Sequence, residues 1–168
     1  AKYKADFLIL ETGLGGRLDA TNIIPKKFLS IITSISIDHE EFLGKTLKKI
    51  TNEKLGIIKN CENVIIAKQK NLVQNHIIKK LKNMQNVYYF DKDYKYKIKN
   101  NDSFEYKFSN IKKIFKKPSL QGVHQIENAS TAITTSILLK KNNYTINLNS
   151  IGKNIYNTNW PGRIEKVN

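Results

Sequence analysis

Three residues of this sequence carry side chains suited to metal and phosphate chemistry: Glu11, His39 and Lys54. Glu11 follows the apolar run Phe7–Leu10 and precedes Gly13, Gly15 and Gly16. In parallel α/β sheets ligands gather beyond the carboxyl ends of strands, and a carboxylate there can hold Mg²⁺ against nucleotide phosphates. The same placement also suits an acid that caps a nearby helix. The glycines do not decide between these readings. GLGG lacks the G-K-[ST] of a phosphate loop and the G-x-G-x-x-G spacing of a dinucleotide fingerprint. His39 ends a second apolar run, flanked by Asp38, Glu40 and Glu41. A neutral imidazole oriented by a carboxylate can ligate a divalent ion, and it can also be an ordinary surface group. Lys54 falls within the apolar stripe of a helical pattern that includes Leu47, Ile50, Leu55, Ile57 and Ile58. A lysine held neutral by burial can form a carbamate with CO₂, which is an anionic metal ligand. Periodicity alone favours a snorkelling side chain with its stem buried and its head in water.

Two further groups have the right types. Gly122–Asn128 opens a long helical pattern with His124, Gln125 and Asn128 near unpaired backbone N–H groups. Amides there can read an adenine edge, or simply cap the helix. Of 29 basic residues only Arg17 and Arg163 are arginine, and both adjoin glycine, in GGR and PGR. A guanidinium where backbone can approach closely suits a phosphate or carboxylate.

The elements that would position these groups alternate. Phe7–Leu10 and Phe28–Ile37 read as buried strands, followed by a helix over Thr46–Lys59 and a strand over Asn63–Ala67. A helix over Leu72–Leu81 and a strand over Val87–Phe90 continue the pattern. This predicts an α/β fold with a mainly parallel sheet flanked by helices. Near 86–117 the texture changes. YKYKIKN and FEYKFS alternate apolar and charged residues around Asn100-Asn101-Asp102, which predicts a small antiparallel β excursion with one wet face. A long helix over Gly122–Lys141, a short one near Leu148–Tyr156 and a strand start at Arg163–Val167 complete the chain.

Composition narrows the class. At 168 residues with 40% apolar and 26% charged residues, the chain can bury one real core. It has no apolar run long enough to span a bilayer. No small-residue cleavage pattern follows the first apolar run, so no secretory leader is expected. The single cysteine, Cys61, excludes an internal disulfide and fits a reducing cytoplasm. The net charge of +15 admits a nucleic-acid-binding module as a rival function. The basic residues are almost all lysine and scattered along the sequence, which fits composition bias better, so no nucleic-acid or membrane partner is expected.

Taken together, LETGLGGRLDATN, TSISIDHEEFLG, NEKLGIIK, GVHQIENASTAI and WPGRIE resemble, in order, the folylpolyglutamate synthase/dihydrofolate synthase family of the Mur ligase superfamily. The resemblance covers most of the chain except Tyr88–Pro118, and GLGGRLDATN is its most specific part. It implies a P-loop-type ATPase domain, here residues 1–160, with 161–168 leading toward a glutamate-ligase domain. It implies Mg²⁺ ligation by Glu11 and His39 and a carbamylated Lys54 that supports the metal, against the snorkelling that periodicity favours. It further implies ATP contacts by Asn128 (adenine) and Arg163 (phosphates), with Asp19 and Ala20 bordering the pterin-bearing substrate. The activity implied is ATP-dependent addition of L-glutamate to dihydropteroate or to folates through an acyl phosphate, by a cytoplasmic monomer. Thr12 and Leu55 stand where Val and Ala are usual, and the family's phosphate loop, which lies upstream of Glu11, is not in the sequence. The chain is therefore expected to be an internal fragment that does not catalyse alone. A different Mur-type ligase, acting on a cell-wall precursor or cyanophycin, is the nearest rival.

Overall fold

The computed structural model describes residues 4–160, so Arg163 and the strand start at Arg163–Val167 lie outside the described residues. Three strands, β1 (Lys27–Ile32), β2 (Cys61–Ile66) and β3 (Val87–Tyr89), pair in parallel in the order β1-β2-β3. Helices α1 (Glu40–Leu43), α2 (Leu47–Leu55) and α3 (Asn71–Lys80) fall between them. Thr46 caps α2, its hydroxyl accepting the Lys49 N–H, and a 3-10 turn at Gly56–Ile58 finishes that helix. Strands β4 (Tyr94–Ile98), β5 (Ser103–Phe108) and β6 (Ile111–Lys116) form a second, antiparallel sheet. Helices α4 (Val123–Lys141) and α5 (Ile151–Tyr156) follow.

Alternation along the strands sorts the side chains into two cores. Ile32, Val64 and Ile66 face one way and pack with Ile50 of α2 and Val73 and Ile77 of α3. Ile65 faces the other way, toward Ile126, Ile133 and Ile137 of α4, and α4 also meets Tyr94, Phe104, Tyr106 and Phe115 of the antiparallel sheet. Helix α4 is thus buried on two sides, between β2 and the second sheet. Its hydroxyl groups survive that burial by bonding backward to carbonyls: Thr134 Oγ1 donates to Ser130 O (2.8 Å) and Thr131 Oγ1 to Glu127 O (3.1 Å). Tyr106 Oη lies 2.7 Å from Thr134 Oγ1, and Tyr94 Oη donates to the Ile66 carbonyl (3.2 Å).

The α/β reading holds, with three corrections. Phe7–Leu10 is neither a strand nor buried; Ile9 is 92% exposed. Its apolar run fits a strand, but no other strand among the described residues pairs with it, so its backbone stays unladdered. The run Phe28–Ile37 stops being a strand at Ile32, beyond which a side chain rather than a strand satisfies the backbone: Gln69 Oε1 accepts the Ile35 N–H (2.9 Å) and Gln69 Nε2 donates to Thr33 O (2.8 Å). The antiparallel excursion starts only at Tyr94 and contains a third strand, β6, while the strand expected over Val87–Phe90 is β3 of the parallel sheet.

Candidate functional site

The loop Glu11–Ile24 is built around one carboxylate. Asp19 caps a 3-10 turn at Ala20–Ile23. Its Oδ1 accepts the Thr21 N–H (2.9 Å) and hydroxyl (2.6 Å), and its Oδ2 accepts the N–H groups of Gly13 (3.0 Å) and Leu14 (2.9 Å). The Leu14 N–H, then the Thr21 hydroxyl and N–H, hold the Asp19 pKa down at about 2, outweighing a small opposing effect of burial. Both oxygens of Asp19 are thus spent on the loop itself, and the exposed Ala20 follows it.

That loop is clamped onto the end of α2. The Arg17 N–H donates to the Glu53 carbonyl (2.8 Å), and Arg17 Nε lies 3.1 Å from each Glu53 carboxylate oxygen. Asn22 Nδ2 donates to the carbonyls of Arg17 (3.1 Å) and Gly56 (3.2 Å). The approach leaves no room for side chains. A Cβ on Gly16 would sit 2.9 Å from the Glu53 carbonyl oxygen and 3.2 Å from Lys54 Cα, while one on Gly56 would run into the Arg17 backbone. Gly16 (φ +154°) and Gly15 (φ +67°) also take backbone angles that suit glycine. A Cβ on Gly15 would come 2.8 Å from Leu43 of α1, the short helix that His39 begins.

His39 itself is left-handed, φ 49° and ψ 44°, which costs a non-glycine residue about 1 kcal/mol or more. Its N–H donates to Asp38 Oδ1 (2.8 Å), and its Nε2 lies 3.6 Å from Asp38 Oδ2. Its carbonyl accepts the N–H groups of Phe42 and Leu43 (3.0 Å each). Glycine contacts therefore gather three segments: the loop after Glu11, the helix start bearing His39, and the helix end bearing Lys54. Glu11 and His39 are exposed and Lys54 is half-buried. Among the described residues no group of three His, Cys, Asp or Glu side chains is close enough to enclose a metal ion. An ion here would complete its shell with phosphate oxygens and water, which is the habit of Mg²⁺.

At the start of α4, the His124 ring folds back over Gly122 (φ +106°), where a Cβ would collide with it. Gln125 Nε2 lies 3.1 Å from His124 Nε2, and Asn128 Nδ2 donates to Gln125 Oε1 (3.2 Å). Gln125 is buried while Asn128 is exposed, so the amide chain leads from the core to the surface. Arg17, an apparent anion contact in the sequence, is committed to Glu53. Glu53 and Gln69, which hold the loop and the path to His39, were not singled out by sequence reasoning. Each bonds across at least 34 residues, a separation that no local pattern reveals.

A parallel sheet with helices on both faces and a glycine loop locked to a helix end define an α/β domain. The Mur ligase middle domain profile matches residues 1–136, and the chain belongs to that family. The curated proteins it resembles include dihydrofolate synthase/folylpolyglutamate synthases. It is 33% identical over 176 residues to the dihydrofolate synthase/folylpolyglutamate synthase of Bacillus subtilis, covering 98% of this chain and 40% of that protein. It is likewise 33% identical over 161 residues to a probable dihydrofolate synthetase of Schizosaccharomyces pombe, covering 94% of this chain and 37% of that one. Among solved structures, the apo form of L. casei FPGS superposes with a TM-score of 0.81 at 26% identity, covering 95% of this chain and 40% of that one. An FPGS-AMPPCP-folate complex gives the same TM-score, identity and coverage. The chain thus spans about two fifths of the length of these relatives.

Proposed function

We propose that this chain is the central, ATP-handling part (residues 1–160) of a ligase that adds L-glutamate to dihydropteroate, to folates, or to both, with 161–168 leading into a further domain. One observation carries the reading: the Gly13–Asn22 loop, whose sequence matches the folate ligases, is folded around Asp19 and clamped beside Lys54. In the proposed reaction the substrate carboxylate attacks the γ-phosphorus of ATP, giving an acyl phosphate and ADP. The glutamate amine then displaces phosphate and forms the amide. Transfer of this kind rests on positioning and charge neutralisation.

In this reading Glu11 and His39 hold Mg²⁺, with a carbamate on Lys54 supporting the site. The donor types fit: a hard carboxylate, an imidazole beside Asp38, and a half-buried lysine whose backbone lies against Gly16. When bound, Mg²⁺ supplies charge neutralisation at the phosphates. Asn128 contacts the adenine and Arg163 the phosphates, while Asp19 and Ala20 border the pterin-bearing substrate. Asp19 serves there mainly by fixing the loop, since its oxygens are already engaged.

The test is a substrate panel on the full-length parent protein: ATP and glutamate with dihydropteroate, with a reduced folate, and with a UDP-linked cell-wall precursor. Glutamate incorporation into either pterin is expected. Turnover of the cell-wall precursor alone would overturn the proposal.

A further inference from the structure

The lysines that are scattered in sequence are gathered by the antiparallel sheet. Register places Lys95 opposite Lys107 and Lys107 opposite Lys112, so one rung across β4, β5 and β6 consists of three lysines. Like charges directly opposite on a sheet are destabilising, and a fold carries such a rung at a cost. One acid relieves part of it. Glu105, buried on the same face, lies 3.4 Å from Lys107, 3.3 Å from Lys112 and 3.5 Å from Lys99. Lys95 has no carboxylate partner among the described residues.

One end of this rung opens into a concavity of about 520 Å³ that Lys95 and Lys107 share with Lys92 of the β3–β4 turn and Lys141 at the end of α4. Its one acid, Asp93, already accepts the Tyr89 N–H (2.7 Å). Four lysines therefore line a space of ligand size, and of these only Lys107 has a carboxylate partner, Glu105, among the described residues. The geometry points to a binding site for a small multivalent anion, a chain of phosphates or carboxylates, in this concavity. It is separate from the candidate ligase site, because Lys141 lies roughly 20 Å along α4 from Asn128.

The lining argues for a small anion over nucleic acid. The ring of Tyr88 stacks edgewise on Phe108 at 5.7 Å, and Lys141 covers Phe108 at 4.8 Å, so neither ring offers a free platform for a base. No arginine lines the concavity to grip a base edge. Lysines act as compact point charges and suit a flexible polyanion.

The test is titration of the ¹⁵N-labelled chain with sodium tripolyphosphate and, separately, with a triglutamate peptide, at fixed ionic strength, following amide shifts. Saturable shifts at Tyr88, Lys92, Lys95, Ser109 and Lys141 are expected from at least one of the two, and which one identifies the phosphate or carboxylate source. The variant K95A/K107A should weaken binding roughly tenfold, and K48A/K49A on α2 should leave it unchanged. Should the double variant fold poorly, K95A alone removes a side chain without an ion-pair partner and should weaken binding several-fold. Shifts spread over all lysines without saturation would overturn the site, as would equal weakening by K48A/K49A. Tighter binding of duplex DNA through the same residues would overturn it too.

Discussion

Asp19 shows how one side chain can make a loop that the glycines only permit. Four hydrogen bonds converge on its two oxygens, and their donors hold its pKa at about 2, below the usual carboxylate value of roughly 3.9. A folded pKa that is depressed contributes stability above the unfolded pKa, and that contribution is lost as pH falls through the folded one. Protection of the Gly13 and Leu14 amides in hydrogen exchange should therefore hold down to about pH 4 and fall away between about pH 4 and 2. Asp19→Asn, which cannot accept four bonds equally well, should expose those two amides at neutral pH while α3 and α4 keep their protection. Unchanged Gly13 and Leu14 exchange in that variant would show that the loop is held by something else. Sequence reasoning found this position through resemblance and assigned it to substrate; the loop-building role follows from hydrogen bonds that only the folded geometry displays.

Between elements, the tightest constraint is the meeting of the glycine loop with the end of α2. Gly56 has an ordinary helical backbone (φ −59°, ψ −21°), so alanine there suffers no conformational strain. Its cost is steric, because the added Cβ meets Arg17. Gly56→Ala should destabilise the chain by about 1–3 kcal/mol in denaturant unfolding and release the Arg17–Glu53 pair. A stability within about 0.5 kcal/mol of the parent would show that the loop can lift away freely. This meeting also marks where the sequence was legible. Apolar runs, alternation and period revealed β1 to β5 and α2 to α5, because burial writes itself into local spacing, whereas the one-turn α1 was too short to show a period. The strand expected over Phe7–Leu10 failed because an apolar run specifies burial only when a partner strand is present to accept its backbone. Strand β6, IKKIFK, escaped because its outward lysines and the exposed Ile114 break the alternation.

Across the whole molecule, α4 couples the parallel sheet to the antiparallel one, and tyrosine hydroxyls tie the layers together. Burial raises the pKa of Tyr94 to about 12 and pushes that of Tyr106 higher still, so both stay neutral donors through physiological pH. Tyr106→Phe removes the bond to Thr134 and keeps the ring, and should lower stability by about 1 kcal/mol. An unchanged unfolding midpoint would show that this buried bond contributes nothing net.

The central claim is that Glu11 and His39, whose loop and helix start touch through the Gly15–Leu43 contact, serve Mg²⁺-ATP chemistry. Both side chains are exposed, so removing either should leave the fold intact. The most direct measurement is ADP release by the full-length parent protein with ATP, Mg²⁺, dihydropteroate and glutamate, comparing Glu11→Ala and His39→Ala with the parent. The account predicts a loss of at least about a hundredfold in each, with unchanged thermal unfolding. ADP release at the parental rate in the two folded variants would contradict it.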